Sequence, residues 1–570
     1  MNPAQARISS RQVMALAAIF VLALLPRLYS AQALGWGWDG PGSFNLVNFD
    51  EGGSCRAALD GFSYSGFVGH QTIAIASALG MPPPQGVHGE SALAKAYCHS
   101  AGHILVARSW SALLGALTVV IVAVLCLQLL PKKPAVAWSA ATLLALSGFH
   151  ISHSHSGTVD AASTLFIYSF IALLAWSLRC GSRGGLVASP VLMLFAVWTK
   201  YWVFAVFAYL ALVPRRAWGE MFGGCGWARL TALVLALSAW LASVCNVAYP
   251  AYGVLPLLLL YFLLVPWRQV HRRWALAWAA LPLLLWLGTL LEVVQAYTVG
   301  GLESRFGSGY AAIAENKWLR NLVNVPALLM VSLGIPACLF IPAGVRAIAH
   351  GEGDSRLWLC LLPLLAFLLF MAFLAPVTYY RHYLPLLPAA AILAAVGLHA
   401  TRWGRNRWLL LVFFSWPALL AWDMVSDYHL DPRRELRPWF AQHGDARVFT
   451  SFYVNQPPAA ESVLFRPEYA TGDAAILRRG DYLILSENWY DTAFANELNG
   501  PLVLKQDRLI KTRPEYAQFY RQALAGEHPH LVVEQSWELA HFMPEMLLHK
   551  RWYGNVQLFV GDLRVLRVRR

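Results

Sequence analysis

The sequence predicts a polytopic α-helical membrane protein of about 13 spans, followed by a C-terminal α/β domain outside the membrane. Three observations carry this. The 570 residues are 58% hydrophobic and only 13% charged, with 24 Trp and a mean hydropathy of +0.48, about half the charge of an average soluble domain. Apolar runs recur through residues 1–425 and then stop. The net charge of +13 is confined to the same part: residues 1–425 hold 26 Lys and Arg against 13 Asp and Glu, whereas residues 426–570 hold 18 of each. A nucleic-acid binder would carry its positive charge on its soluble module, so that class is excluded. The composition also excludes a disordered chain, a collagen and a disulfide-rich mini-scaffold.

The apolar runs fall at about 12–28, 104–130, 134–149, 161–178, 185–198, 201–213, 230–248, 251–266, 274–297, 322–345, 357–375, 383–400 and 408–425. Several are shorter than the roughly 20 residues of a perpendicular crossing. Alternate connections carry the basic residues: Arg7/Arg11, Lys132/Lys133, Arg179/Arg183, Arg215/Arg216/Arg229, Arg268/Arg272/Arg273, Arg346/Arg356 and Arg402/Arg405/Arg407. These seven groups hold 17 of the 26 basic residues, and the positive-inside rule assigns them all to the cytoplasm. Parity then puts the N-terminus inside and residues 426–570 outside.

The stretch 185–213 tests this topology. As one long helix it would hold Lys200 near the bilayer centre, at about 2.5–3.5 kcal/mol on insertion scales. A hairpin of two short spans, each rising only about 20 Å, avoids that cost. Lys200 is then expected at the hairpin tip, recessed beneath the outer membrane surface. The first run follows Arg7 and Arg11 and precedes "AQAL", as a cleaved secretory signal would; an uncleaved signal anchor suffices and is the expectation. Of the eight cysteines, only Cys55 and Cys98 lie well inside an external loop. They are either a bridge closing that loop or two buried thiols.

Two external connections are long. The first, about 29–103, contains Asp39, Asp50, Glu51, Asp60 and Glu90, and its segment 67–80 reads as an apolar helix lying along the interface. The second, about 298–321, contains Glu303, Arg305, Glu315, Lys317 and Arg320. Beyond residue 425 the texture becomes that of a small soluble domain. Helices are expected at 431–443 and 514–525, and strands at 446–454, 481–486, 530–534 and 556–568. No recognisable catalytic motif stands there, and a structural or acceptor-handling role is expected.

The candidate chemistry sits at the outer ends of the spans. Asp50 and Glu51 in "NFDEGG" are followed by Gly52 and Gly53, which permit unusual backbone geometry. Adjacent loop acids are otherwise a solvated turn. Asp160, in "HISHSHSGTVDAAS", opens the fourth span; it reads as a helix N-cap or as an ionisable functional group at membrane depth. His153 and His155 precede it, as polar turn or substrate-binding residues, with a divalent metal as the minor alternative. Lys200, Arg305 and Arg381 are cations on the outer side, against the topology rule. Each pairs with a nearby acid or, with the carboxylates, holds a phosphate at the membrane boundary.

These segments resemble the GT-C superfamily of membrane glycosyltransferases. The Asp50–Glu51 pair is similar to their first-loop acidic motif. "HILVARSWSALLGALTVVIVAVL" (103–125) resembles their second-span signature, and "HISHSHSGTVDAAS" their second acidic loop. "WTKYWVF" (198–204) is similar to their Lys-bearing hairpin, "RHYLPLLPAAAILAAVGL" (381–398) to the late Arg-Tyr-Leu-Leu-Pro segment, and "DPRRELRPWF" with "PEYAQFYRQALAGE" to the periplasmic domain of bacterial members. The likeness covers nearly the whole chain in order. It is nearest to the bacterial branch resembling protein O-mannosyltransferases and the aminoarabinose transferases of lipid A. Where the family often has His-Pro-Asp-Glu this chain has Asn48–Phe49–Asp50–Glu51, and His382 stands where Tyr is usual.

The resemblance implies a transmembrane glycosyltransferase domain over 1–425 with its catalytic loop at 29–103, an extracytoplasmic domain over 426–570, and a place in the bacterial inner membrane. It implies sugar transfer from a polyprenyl-phosphate sugar to an acceptor glycan, lipid or protein, with no cofactor. Asp50 is the implied general base, with Glu51 and Asp160 as further acidic residues. Lys200 and Arg381 are the implied phosphate-side residues; Arg305 is expected to join them as an outer-side cation, and His153, His155 and Tyr380 are expected to bind substrate. Physics agrees with a lipid-borne donor, because nucleotide sugars are confined to the cytoplasm. A transporter or flippase of a lipid-linked sugar is the alternative. Transporters show repeated halves and interrupted midplane helices, whereas this chain has asymmetric outer loops and outward acids. An assembly or anchoring protein is the third class, in which Asp50, Asp160 and Lys200 would be freely exchangeable.

Overall fold

The computed structural model describes residues 9–33, 50–62, 64–180, 192, 195, 196, 199, 200, 317–350, 380–451, 454, 462–464, 476–494, 514–539 and 561–569. The chain forms two compact units: Met1–Leu25, Leu113–His150 and Val159–Ala418 in one, and Pro26–Ala112, Ile151–Thr158 and Leu419–Arg570 in the other. Among the described residues four helices are long and apolar enough to cross a membrane, and a fifth crossing arises if one bent pair is counted. They are α1 (Ser10–Ala33), α5 (Ala101–Leu129), α8 (Asp160–Cys180) and α13 (Arg407–His429). They fall on the runs predicted at 12–28, 104–130, 161–178 and 408–425. The runs expected at 185–198, 201–213, 230–248, 251–266, 274–297 and 357–375 lie wholly or mainly outside the described residues.

Two predicted spans are broken rather than continuous. The run at 134–149 divides into α6 (Pro134–Ala145) and α7 (Gly148–His155), bent by 59°. The cause is local: Ser147 Oγ accepts from the His150 N–H at 3.3 Å, so the serine caps a new helix instead of continuing the old one. The run at 322–345 divides into α9 (Lys317–Leu333), α10 (Ile335–Cys338) and α11 (Ile341–Ala349). Gly334 adopts a φ of +85° at the first break, and Pro336 in the following turn has no N–H to donate to the preceding helix.

In the first unit, α12 (Leu386–Ala400) is buried over most of its length and packs on α6 and α11. The α11–α12 crossing needs glycine on both sides. A Cβ on Gly344 would stand 2.0 Å from the Leu393 carbonyl oxygen, and one on Gly397 would stand 2.0 Å from that of Phe340. Small residues let apolar helices approach where no hydrophobic drive from water exists.

In the second unit, the stretch between α1 and α5 folds in its described part as α2 (Gly53–Asp60), α3 (Phe67–Ala78) and α4 (Ser91–Cys98). The helix expected at 67–80 is thus present. A disulfide joins Cys55 of α2 to Cys98 of α4, which decides between the two readings of these cysteines. Leu59, Val87 and Ala94 pack around it.

The C-terminal part of that unit carries a five-stranded mixed sheet of order β2-β1-β3-β5-β4: β1 Val448–Thr450, β2 Ser462–Leu464, β3 Tyr482–Ser486, β4 Leu531–Trp537 and β5 Leu563–Val568. β1 pairs in parallel with β2 and β3, while β5 pairs antiparallel with β3 and β4. Successive strand residues face opposite ways, and β1 and β3 are buried on both faces. Phe449, Leu483, Leu485 and Leu566 meet Phe519 and Tyr520 of α16 (Ala517–Ala525). Val448, Tyr482, Ile484 and Val565 meet Leu436, Trp439 and Phe440 of α14 (Leu436–Gln442). A short helix, α15 (Glu487–Tyr490), follows β3.

Candidate active site

The acidic pair of the first loop divides into two roles. Asp50 is partly exposed at the start of a turn whose carbonyl accepts from the Gly53 N–H. Gly52 takes φ +81°, and a Cβ there would stand 2.4 Å from the His99 ring. That backbone turns Glu51 inward, where it is fully buried. Arg108 of α5 grips its carboxylate with both arms of the guanidinium: Nε donates to Oε1 at 2.8 Å and Nη2 to Oε2 at 2.8 Å. The Gly157 N–H also donates to Oε1 at 2.8 Å. Glu51 therefore ties the first loop to α5 and to the segment between α7 and α8. The space at Gly157 is tight: a Cβ there would stand 3.0 Å from that of Ala107. Arg108 is the residue that reading by motif passed over. Its signal was a lone cation inside an otherwise apolar run.

His99, just outside α5, packs against the same turn. Burial, reinforced by the charges of Lys95 and Arg56, lowers its pKa to about 4. Asp60 stands at the other end of α2; although burial opposes it, bonds from Arg56, the Phe62 N–H and Ser91 hold its carboxyl below the ordinary range.

His153 and His155, expected to touch substrate, lie in the last turn of α7 and are fully buried. His155 Nδ1 shares a 2.7 Å hydrogen bond with Ser30 Oγ of α1, and its ring stands edge-on to Tyr428 of α13 at 4.3 Å. Ser152 Oγ and the Tyr428 hydroxyl share another at 2.7 Å. These contacts join α1, α7 and α13. Arg27, Asp423 and Asp427, on α1 and α13, are fully buried as well. Among the described residues, no group of three or more His, Cys, Asp and Glu side chains is arranged to hold a metal ion.

In the other unit the structure brings two expected residues together. Asp160, 2% exposed, opens α8, and Lys200 Nζ donates to its Oδ1 in a buried ion pair. The Asp160 carbonyl also accepts from Ser163 and Thr164, which holds the first turn of α8. Lys200 follows a helical turn, with its N–H on the Ala196 carbonyl. Two turns into α8, the buried Tyr168 hydroxyl donates to the Pro385 carbonyl at 2.8 Å and accepts from the Ala389 N–H at 3.0 Å. It thereby stands between the two groups that would otherwise form the first helical bond of α12. Arg381, half-buried, lies just before, in the 3₁₀ turn Tyr380–Tyr383. Tyr380 contributes backbone to that turn. Arg305 lies outside the described residues.

No protein-family model matches the chain, and no curated protein matches it. Solved structures of the Archaeoglobus fulgidus oligosaccharyltransferase are similar in outline. The apo form aligns at TM-score 0.47 and 12% identity, over 88% of this chain and 71% of that one. The archaeal oligosaccharyltransferase AglB in complex with an inhibitory peptide and a dolichol-phosphate aligns at 0.46 and 13%, over 85% and 70%. The form tethered to an acceptor peptide containing the NVT sequon aligns at 0.45 and 12%, over 86% and 71%. A likeness of this degree carries no functional assignment.

Proposed function

We propose that the protein transfers a sugar from a polyprenyl-phosphate donor to a nucleophilic acceptor on the outer face of a bacterial inner membrane, by a single displacement that inverts the anomeric carbon. The observation that carries this reading is the buried Lys200–Asp160 pair: two residues chosen from sequence, 40 positions apart, meet at the mouth of a span. A neutral pair lowers the cost of holding a lysine near lipid. The ammonium is a compact three-donor charge, the kind of group that holds a phosphate oxygen as a point charge.

In this reading the acceptor hydroxyl attacks the anomeric carbon while Asp50 takes its proton. The bond from that carbon to the phosphate oxygen breaks, and its electron pair leaves with the lipid phosphate. Lys200 and Arg381 offset the negative charge that grows there. Glu51 and Arg108 hold the backbone that presents Asp50. The donor's prenyl chain lies among the spans, Arg305 and Tyr380 complete the donor side, and no cofactor takes part. The acceptor is a glycan, lipid or protein.

The test is to offer purified protein a polyprenyl-phosphate sugar. Sugar transfer or donor hydrolysis is expected. Movement of the intact donor across a vesicle membrane, with neither product formed, would replace the enzyme by the flippase.

A further inference from the structure

The first unit carries a second feature that sugar transfer does not use. An open groove of about 490 Å³ runs along α13, lined by Leu146, Leu410, Leu411, Phe414 and Ala418, with Arg407 at one end. From Arg407 to Ala418 the helix rises about 16 Å, long enough for much of an acyl chain. The residues just before Arg407 in sequence add to its charge. Arg402 is exposed and stands over the Trp403 ring at 5.5 Å. Asn406 Oδ1 caps α13 by accepting from the Trp408 N–H at 2.9 Å. Trp403 is 48% exposed and Trp408 70%. Exposed tryptophans mark the level of the lipid headgroups. An arginine at the end of an apolar furrow, in a basic stretch of the chain, matches an anionic headgroup with its chain attached.

We propose that this groove binds one chain of an anionic phospholipid, with Arg402 and Arg407 on its phosphate. The positive-inside rule puts these arginines at the cytoplasmic surface, so the occupant comes from the inner leaflet. The sugar donor is a poor fit, because its phosphate is assigned to Lys200 at the outer end. The site stands whether or not the protein transfers sugar.

The test uses the full-length protein in detergent, with phosphatidylglycerol or phosphatidylcholine of equal chain length, and counts bound lipid by native mass spectrometry. Phosphatidylglycerol should be retained preferentially. Arg402→Gln and Arg407→Gln should each weaken that retention about fivefold. Ala418→Phe, which fills the furrow and leaves both charges, should abolish it. Equal retention of the two lipids would overturn the proposal, as would retention indifferent to all three variants. Displacement of phosphatidylglycerol by an equal amount of polyprenyl phosphate would give the groove to the carrier lipid instead. Displacement by inorganic phosphate would reduce it to an anion patch, and a dimer broken by Ala418→Phe would make it a subunit contact.

Discussion

Glu51 and Arg108 lie 57 residues apart in sequence and meet as a bidentate ion pair from which water is excluded. Breaking such a pair from one side costs about 3–5 kcal/mol, because the remaining charge stays buried. Glu51→Gln should therefore lower the thermal unfolding midpoint of the purified protein strongly, and Arg108→Lys should do so by less, since it keeps the charge but loses the planar fork. Asp50→Asn, one residue away, should leave the midpoint unchanged. Equal midpoints for all three variants would remove the clamp from this account.

The Lys200–Asp160 pair makes a different prediction. Lys200→Met and Asp160→Asn should each reduce yield and stability, by removing the ion-pair partner of a buried charge. The double variant should recover most of the loss, with a coupling of about 0.5–3 kcal/mol. It should still fail to turn over donor. Additive stability losses would show that the pairing carries no energy.

His99 gives the loop between α1 and α5 a pH dependence. Its folded pKa of about 4 lies below its ordinary 6.5, so the unfolded loop binds the proton first. The stability contribution is fully present above pH 6.5 and falls as pH drops from 6.5 towards 4. Limited proteolysis of residues 50–103 should quicken through that window. His99→Gln should flatten the slope, and an unchanged slope in that variant would place the acid sensitivity elsewhere.

Tyr168 acts through its hydroxyl. In Tyr168→Phe the Pro385 carbonyl and the Ala389 N–H lose their shared partner, at a cost of about 1–3 kcal/mol for each group left unsatisfied. Hydrogen exchange at Ala389 should accelerate, and donor KM should rise more than kcat falls as the turn bearing Arg381 loosens. Undiminished protection at Ala389 would mean that α12 closes its own first turn.

Much of this architecture was legible in the residues, for identifiable reasons. Long apolar runs announced α1, α5, α8 and α13, because length and hydropathy suffice for a crossing. The strands expected at 446–454, 481–486, 530–534 and 556–568 overlap β1, β3, β4 and β5. The three-residue β2 escaped, as it is too short to show a period and takes its place from pairing with β1. The breaks at Ser147 and Gly334 were hidden by runs that stay apolar straight through them. Asp160 and Lys200 stood out because charge at a span mouth is costly. Their meeting was not legible, since a partner 40 residues distant is chosen by packing. Arg108 was visible as a cation in a span, yet its role rests on Gly157 and Glu51, which only the fold brings to it.

The most direct measurement compares wild type and Asp50→Asn, matched for thermal midpoint, in transfer from a polyprenyl-phosphate sugar. An equally stable variant is expected that still binds donor and transfers about 10²–10⁴-fold more slowly, the usual worth of a general base. Wild-type turnover in a folded Asp50→Asn protein would contradict it.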